Sequence, residues 1–221
     1  MQKIQGNNNE KSHTGETRQE QRRRLREKGI RKCILDAAME VIVSKGSDGF
    51  TMDRLAGDAG VAKGTLYLYF AGKTEVIQAA VDAVFEPLFR DMDSILEEDT
   101  EPQGKLKRFF CCGLQFFQDN IQLFRILMYD RGALTDDRLE EGSHYWICQD
   151  KISQVLDEGV AKGVFHSMNI PIVSNMIIEI ISGQIFLNLI GRTNNTIDQQ
   201  VEMIMDIVMH GIAPAKERMV L

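Results

Sequence analysis

The residues best suited to chemistry are concentrated in one short segment, Asp58–Lys73, which reads DAGVAKGTLYLYFAGK. It combines lysines, a threonine and closely spaced tyrosines with several glycines, and a buried helix needs none of these. Ammonium and hydroxyl groups are donors that proteins direct at nucleic-acid phosphates and base edges. We therefore interpret this segment as one that enters a DNA groove.

The rest of the chain lacks the patterns that indicate an enzyme. Its four histidines and four cysteines are scattered, with no Ser/His/Asp order, no phosphate-binding loop and no HExxH-type pair. We predict no enzyme activity, no cofactor and no metal site. Cys111, Cys112 and Cys148 leave a thiol sensor open as an alternative, although adjacent cysteines cannot face the same way on a helix.

Charge is divided unevenly along the chain. Through Lys73 there are 14 Lys and Arg against 9 Asp and Glu, a net charge of +5. The remainder has 12 against 23, a net charge of −11, and the two parts sum to −6. A basic front indicates an end that meets a polyanion. Its basic run, residues 18–32, could lie against DNA phosphates or in a minor groove, or could be the solvated start of the first helix.

Short helices are predicted to position the candidate DNA segment. Apolar residues recur at helical spacing from Ile30 to Ile42, which predicts a first helix. Thr51 is placed to cap a second helix over 52–59, and Gly60 ends that helix before a third one over 62–68. Two helices joined by so tight a turn form a helix-turn-helix.

These residues resemble a known family. The run FTMDRLAGDAGVAKGTLYLYFAGKTEVI is similar to the N-terminal DNA-binding domain of the TetR family of bacterial transcriptional regulators. The likeness lies in a threonine that opens the second helix and in a GV…GTLY.YF..K run ending at Lys73, and it extends over residues 30–80. The chain differs at Ala71-Gly72, where a polar pair is more usual, and its basic run is longer than in many members.

The resemblance implies DNA contacts, because the third helix of family members lies in the major groove. Base-edge contacts are expected from Ala62, Lys63, Gly64 and Tyr67. Phosphate contacts are expected from Thr51, Thr65, Tyr69 and Lys73, and either role is expected from Arg54. Core packing is the alternative for both tyrosines, although Leu66 and Phe70 already fill that role.

Helical periodicity continues beyond the candidate DNA segment, so the predicted fold class is all-α. We expect an N-terminal three-helix helix-turn-helix domain followed by a larger C-terminal helical domain for ligand binding and dimerisation. The predicted bounds are a disordered polar tail at 1–21, the DNA-binding domain at 22–73 and the larger domain at 74–221. The later helices are predicted over 105–120, 121–131, 136–162, 170–190 and 197–212. Pro87 is expected to kink or break the helix that follows Lys73.

Aromatic residues are concentrated in the larger domain, where family members enclose a small-molecule pocket. The resemblance therefore implies a small hydrophobic or amphipathic effector. The residues expected to contact it are Phe89, Phe109, Phe116, Phe124, Met128, Trp146, Asn175 and Glu179. Ordinary core packing is the alternative for each of them.

The last two helices are expected to form a dimer interface. The helix over 197–212 is apolar nearly all round, which predicts one partner in its own subunit and another beyond it. Family members form a four-helix interface there, so a homodimer through 170–190 and 197–212 is implied. Polar residues interrupt 170–190, so no membrane span is predicted, and the polar N-terminus is not a signal peptide. A cytoplasmic location is expected.

Together these features predict a ligand-responsive transcriptional regulator of the TetR type. We expect a repressor that binds a palindromic operator in double-stranded DNA as a dimer and is released by its effector. A thiol- or redox-responsive regulator and a ligand-free regulator of the same fold are the alternatives.

Overall fold

The computed structural model describes residues 17–46, 49–129 and 142–212, and within these ranges all regular secondary structure is α-helical. The described helices are α1 (Arg18–Lys45), α2 (Met52–Asp58), α3 (Lys63–Tyr69), α4 (Lys73–Glu97), α5 (Pro102–Asp119), α6 (Ile121–Tyr129), α7 (His144–Ala161), α8 (Ile170–Leu189) and α9 (Ile197–Ile212). The predicted all-α fold class is confirmed.

Helices α1 to α3 and the start of α4 surround one apolar cluster, here called the small cluster. Leu66 of α3 and Phe70, which follows α3, are both buried in it, as the sequence predicted. Ile126 of α6 is buried in the same cluster. α6, a helix beyond α4, therefore packs directly against α1.

Local signals set the ends of the short helices. The Thr51 hydroxyl accepts a hydrogen bond from the Arg54 N–H at 3.2 Å and caps α2. Gly60 follows α2 with φ of 66°, the left-handed conformation that ends helices and favours glycine. α2 and α3 thus lie within one residue of the predicted bounds.

The first helix is longer than its apolar periodicity predicted. α1 begins at Arg18, inside the predicted polar tail 1–21, and residues 1–16 lie outside the described chain. Thr17 and Glu20 form a reciprocal capping box at its start. The basic run 18–32 is therefore helical and forms the first part of α1.

α4 runs without interruption from Lys73 to Glu97 and contains Pro87. Of the two predicted effects of Pro87, a kink or a break, the break is therefore wrong. Proline removes one hydrogen bond, to the carbonyl of Ala83, but both residues are exposed, so water can bind that carbonyl. Phe85 and Leu88 are buried on either side of the proline, and their packing holds the helix together.

A second apolar cluster, here called the large cluster, contains residues from α4 through α9. Two buried lysines form ion pairs between its helices. Lys105 of α5 donates to the Glu158 carboxylate at 2.8 Å and to the Leu96 carbonyl at 3.0 Å. Lys151 of α7 pairs with Asp93 of α4. The second half of α4 is thereby held to both α5 and α7.

The later helices agree with the predicted ones to within three residues at their described ends, with one exception. α7 begins at His144, whereas a helix was predicted from residue 136. Residues 130–141 lie outside the described chain, and Gly142-Ser143 are not helical, so a continuous helix over 136–162 is wrong. Gly163 and Gly191, with φ of 71° and 67°, follow α7 and α8 as predicted.

Among the described helices, α8 is long and apolar enough to cross a bilayer by length and composition, with a mean hydropathy of 1.7. One such helix is weak evidence for a membrane span, because core helices of soluble proteins pass the same test. Asn175, Glu179, Gln184 and Asn188 interrupt it. Only 22% of its apolar stretch is buried within the subunit, so much of α8 faces outward.

Candidate functional site

α3 is held in place by its inner face and leaves the opposite face in solvent. Leu66 is fully buried, whereas Tyr67 is 50% exposed and Leu68 is 83% exposed. Lys63 precedes Tyr67 by four residues, so both side chains lie on the same face of the helix. The exposed face of α3, formed by Lys63, Gly64, Tyr67 and Leu68, is here called the reading face.

Gly64 lies on the reading face with open space beside it. A Cβ atom added there would meet no protein atom within 4 Å, so packing inside the protein does not require a glycine. Ala62 is also exposed and makes no side-chain cap at the start of α3. Both small residues leave backbone accessible to a molecule that approaches from outside.

The Lys63 ammonium is already paired within the protein. Its Nζ lies 2.7 Å from Oδ1 of Asp53 on α2, and both side chains are exposed. The hydrogen bond that Lys63 donates to this carboxylate, together with the negative charge of Asp53, raises the pKa of Lys63 above the ordinary lysine value. Sequence reasoning missed Asp53, although a tight turn between two helices brings the start of α2 near the start of α3.

The residues predicted to hold phosphates have structural partners as well. Thr51 caps α2. Tyr69 is half-buried against the small cluster, so the alternative of core packing applies in part to Tyr69, whereas it does not apply to Tyr67. Arg54 Nε lies 3.9 Å from the Asp58 carboxylate. The Lys73 ammonium lies 5.9 Å from the centre of the Phe50 ring. Thr65 is half-buried.

Four of the residues predicted to contact an effector lie in the large cluster. Phe85 of α4 is at the centre of a group of rings, with Phe89 at 5.6 Å and Phe116 at 5.0 Å between ring centroids. Phe117 connects Phe85 to Phe124, with centroid distances of 6.0 Å and 5.3 Å. Phe109 is buried in the same cluster, and the side chain of Met128 lies outside what the structure describes.

The other three predicted effector residues surround a tyrosine that sequence reasoning missed. The Tyr145 hydroxyl donates to Oδ1 of Asn175 and lies 3.4 Å from the Glu179 carboxylate. Trp146 contacts the Tyr145 ring edge to face at 5.6 Å. The sequence signal for Tyr145 was its position beside Trp146 in a predicted helix.

His144, also missed, connects the ring group to the start of α7. Its ring stacks on Phe85 at 4.3 Å and on Phe89 at 5.9 Å. Its Nε2 lies 2.9 Å from the Asp82 carboxylate of α4. The first turn of α7 thus contacts α4 through His144 and α8 through Tyr145.

The cysteines give little support to a thiol sensor. The Cys112 thiol is mostly buried and donates to the Phe109 carbonyl at 3.3 Å. Burial raises its pKa to about 12, so the thiol stays protonated and unreactive at neutral pH. Cys33 and Cys111 are exposed. Within the described ranges, no group of three or more His, Cys, Asp or Glu could hold a metal ion.

Comparison with known proteins identifies the helix-turn-helix. Residues 34–80 match the family model described as bacterial regulatory proteins, tetR family. The helix-turn-helix of this chain is therefore of the tetR type. The match covers α2, α3 and the parts of α1 and α4 that enclose the small cluster.

The proteins that this chain is similar to include transcriptional regulators. The HTH-type transcriptional regulator SrpR from Pseudomonas putida is 32% identical over 60% of this chain and 62% of SrpR. The uncharacterized HTH-type transcriptional regulator TtgW, also from Pseudomonas putida, is 44% identical over 29% of this chain and 48% of TtgW. The chain thus spans less than two thirds of the length of either relative.

The fold is shared with a solved regulator. FadR from Bacillus subtilis, in complex with stearoyl-CoA, superimposes with a TM-score of 0.71 at 20% sequence identity. The superposition covers 82% of this chain and 98% of FadR.

The Asp53–Lys63 pair leads to a prediction for the reading face. The substitution Asp53→Asn removes a carboxylate that pairs with the Lys63 ammonium and repels DNA phosphates. Affinity for random-sequence duplex DNA should rise, by about three- to tenfold at low salt, since non-specific binding is electrostatic. Fluorescence anisotropy with unrelated duplexes measures this change. Glu98→Gln is the control, since it removes a carboxylate paired with Arg108 in the large cluster region. Equal effects of the two substitutions, or no effect of either, would contradict the role of Asp53.

Proposed function

We propose that this protein is a sequence-specific, DNA-binding transcriptional regulator that reads base edges with α3. The supporting observation is the reading face, where Tyr67 and Leu68 are exposed beside Lys63 on a helix anchored by buried Leu66. Within the described residues, neither Tyr67 nor Leu68 packs into an apolar cluster. We propose domain bounds of 22–73 for DNA binding and 74–221 for the remaining functions.

The proposed contacts follow from the chemistry of the reading face. Lys63 exchanges Asp53 for guanine O6 and N7, and Tyr67 packs on a thymine methyl group. Leu68 offers a second apolar surface to a methyl group or a deoxyribose. Ala62 and Gly64 allow backbone to approach the base edges closely. Thr51, Thr65, Tyr69 and Lys73 hold phosphates that fix the register, and Arg54 contacts either a base or a phosphate.

Substitution of the reading face tests this function. Tyr67→Ala and Lys63→Ala should each weaken operator binding by about 1–3 kcal/mol, because each removes a base contact. Lys162→Ala is the matched control, since it removes an exposed, ion-paired lysine of the large domain. Random-sequence selection supplies the operator, and anisotropy in a salt series measures affinity.

All variants should keep the wild-type melting temperature, because the substituted side chains are exposed. Equal operator affinity for wild type, Tyr67→Ala and Lys63→Ala would exclude α3 as the reader. A wild-type chain that selects no sequence would exclude the proposed function altogether.

We further propose that the chain acts as a homodimer joined through α8 and α9. Both helices expose large apolar residues, and the two helices pack against each other within the subunit. The exposed apolar residues are Ile172, Met176 and Leu187 of α8, Ile190 directly after α8, and Met203 and Ile207 of α9. A second copy can cover this surface, and two readers about 34–36 Å apart match one DNA turn of a palindromic operator.

A charge placed in the proposed interface should separate the subunits. Ile207 is 60% exposed, so Ile207→Glu leaves the subunit core intact but buries an unpaired carboxylate in a dimer. Light scattering should give twice 25.1 kDa for wild type and 25.1 kDa for the variant. Val43→Glu is the control, since Val43 is an exposed apolar residue of α1. A wild-type monomer would rule out the proposed interface.

The regulator is proposed to be a cytoplasmic repressor that a hydrophobic or amphipathic effector releases from DNA. α4 provides the connection between the two parts. It begins at Lys73 beside α3, and Asp82 and Phe89 follow on the same helix, with Phe89 about 24 Å from Lys73 along the helix axis. An effector that enters beside Phe89 and His144 would alter the contacts of α7 with α4. Release requires the effector to bind one arrangement of α4 more tightly than the other.

An acyl-CoA is the probe we would use first, because FadR of the same fold binds stearoyl-CoA. Stearoyl-CoA should raise the melting temperature and lower operator affinity. Asp82→Asn should weaken this release, since it loosens the contact from His144 to α4. Asp91→Asn, at an exposed position on the same helix, is the control. A probe that raises the melting temperature but leaves operator affinity unchanged would show that binding is not coupled to DNA.

A further inference from the structure

The first turns of α1 form a strongly basic surface that the rest of the described chain does not cover. Every residue from Thr17 to Gly29 is exposed. Residues 18–28, here called the basic extension, hold six Lys and Arg against two Glu, a net charge of +4 in a chain whose net charge is −6. The cations are Arg18, Arg22, Arg23, Arg24, Arg26 and Lys28.

The basic extension lacks the packing that stabilises most protein helices. A helix that is polar all round needs many side-chain pairs or a further partner to be stable. Its local support includes the capping box at Thr17 and an ion pair of 3.5 Å between Arg23 and Glu27. An exposed pair of this kind contributes little to stability, because water and salt screen it. A polyanion that binds the extension would stabilise its helical form.

The extension starts beside the end of α3. The Arg31 guanidinium lies 5.3 Å from the centre of the Phe70 ring, and Phe70 directly follows α3. Met39, eight residues later on α1, packs against the large cluster. The axis of α1 therefore runs, from Met39 back to Arg31, away from the large cluster and towards the end of α3. The extension continues this line for roughly 20 Å at 1.5 Å per residue.

Two cations of the extension share the face that Arg31 turns towards α3. An α-helix rotates about 100° per residue, so Lys28 and Arg24 lie within about 60° of Arg31 around the axis. Arg22 and Arg26 lie at least about 140° away from Arg31 by the same measure. The extension thus has a basic face beside α3 and another basic face on its far side.

We propose that the basic extension is a second DNA-binding element, in which Arg24 and Lys28 contact backbone phosphates that flank the half-site read by α3. This inference rests on the proposed DNA-binding function. The occupant is duplex DNA because the surface is cationic and continues from the reading helix through Arg31 and Phe70. Arg24 lies about 10 Å along the axis from Arg31, which corresponds to about three base pairs of flanking DNA.

Two double variants with the same loss of charge test the inference. Arg24→Gln/Lys28→Gln removes the face beside α3, and Arg22→Gln/Arg26→Gln removes the far face. Binding of the full chain to its selected operator is measured by anisotropy from low to high salt. The first variant should bind about tenfold or more weakly, and its salt slope should fall by roughly 3 to 4 for a dimer with two contacts per subunit. The second variant should stay within about twofold of wild type, because its cations face away from the phosphates.

Shortened duplexes provide an independent measurement. About four base pairs are removed from each flank of the operator. The resulting loss of affinity for wild type should equal the loss that Arg24→Gln/Lys28→Gln causes on the long duplex. The variant should be insensitive to this shortening. Both double variants should keep the wild-type melting temperature, since the substituted side chains are exposed.

The outcomes separate this inference from the proposed function. If both double variants lost operator affinity equally, the extension would act only through long-range electrostatic attraction. If neither lost affinity, the extension would be excluded from DNA binding. Retained affinity of wild type for the shortened duplex would also overturn the flanking contact. A wild-type chain that binds no selected operator would instead contradict the proposed function itself.

Discussion

The structure depends on the burial of a single helix in two apolar clusters. Val76 and Ile77 of α4 are enclosed by α1, α2 and α3, whereas Phe85 and Leu88 are enclosed by the helices of the larger part. A rigid helix that is buried at both ends transmits displacement, because interiors are close-packed and cannot absorb it locally. The exposed face of α3 therefore has an orientation that the larger part can influence, through α4 and through the contact of Ile126.

Much of this architecture could be predicted from the sequence. Apolar spacing together with Gly60, Gly163 and Gly191 placed most helix ends within a few residues, because these signals act locally. The start of α1 was missed because residues 18–29 contain no apolar periodicity, and α1 begins instead at a capping box. The effect of Pro87 was overestimated because burial of its neighbours, a tertiary effect, outweighs one missing hydrogen bond.

The sites were predictable to different degrees. The reading face followed from residue types at known helical positions, since Leu66 and Phe70 could be assigned to the interior. The Asp53–Lys63 pair and the contacts of Tyr145 with Asn175 and Glu179 were not predicted. Each joins separate helices whose relative orientation is fixed only by packing. The sequence order in α7 gave no indication that His144 faces α4 while Tyr145 faces α8.

The buried lysine that joins α4, α5 and α7 has a consequence for how this chain can change during evolution. Lys105 is almost fully buried, and its charge is balanced by Glu158. Replacement of Glu158 alone leaves the buried Lys105 ammonium uncompensated, which destabilises a protein by about 3–5 kcal/mol. Replacement of Lys105 alone costs less, because Glu158 is partly exposed and keeps its ion pair with Lys162. Replacement of both by apolar residues of similar volume is tolerated. A substitution of Glu158 is therefore expected to be accompanied by one of Lys105 in divergent copies of the chain, although 53 residues separate them.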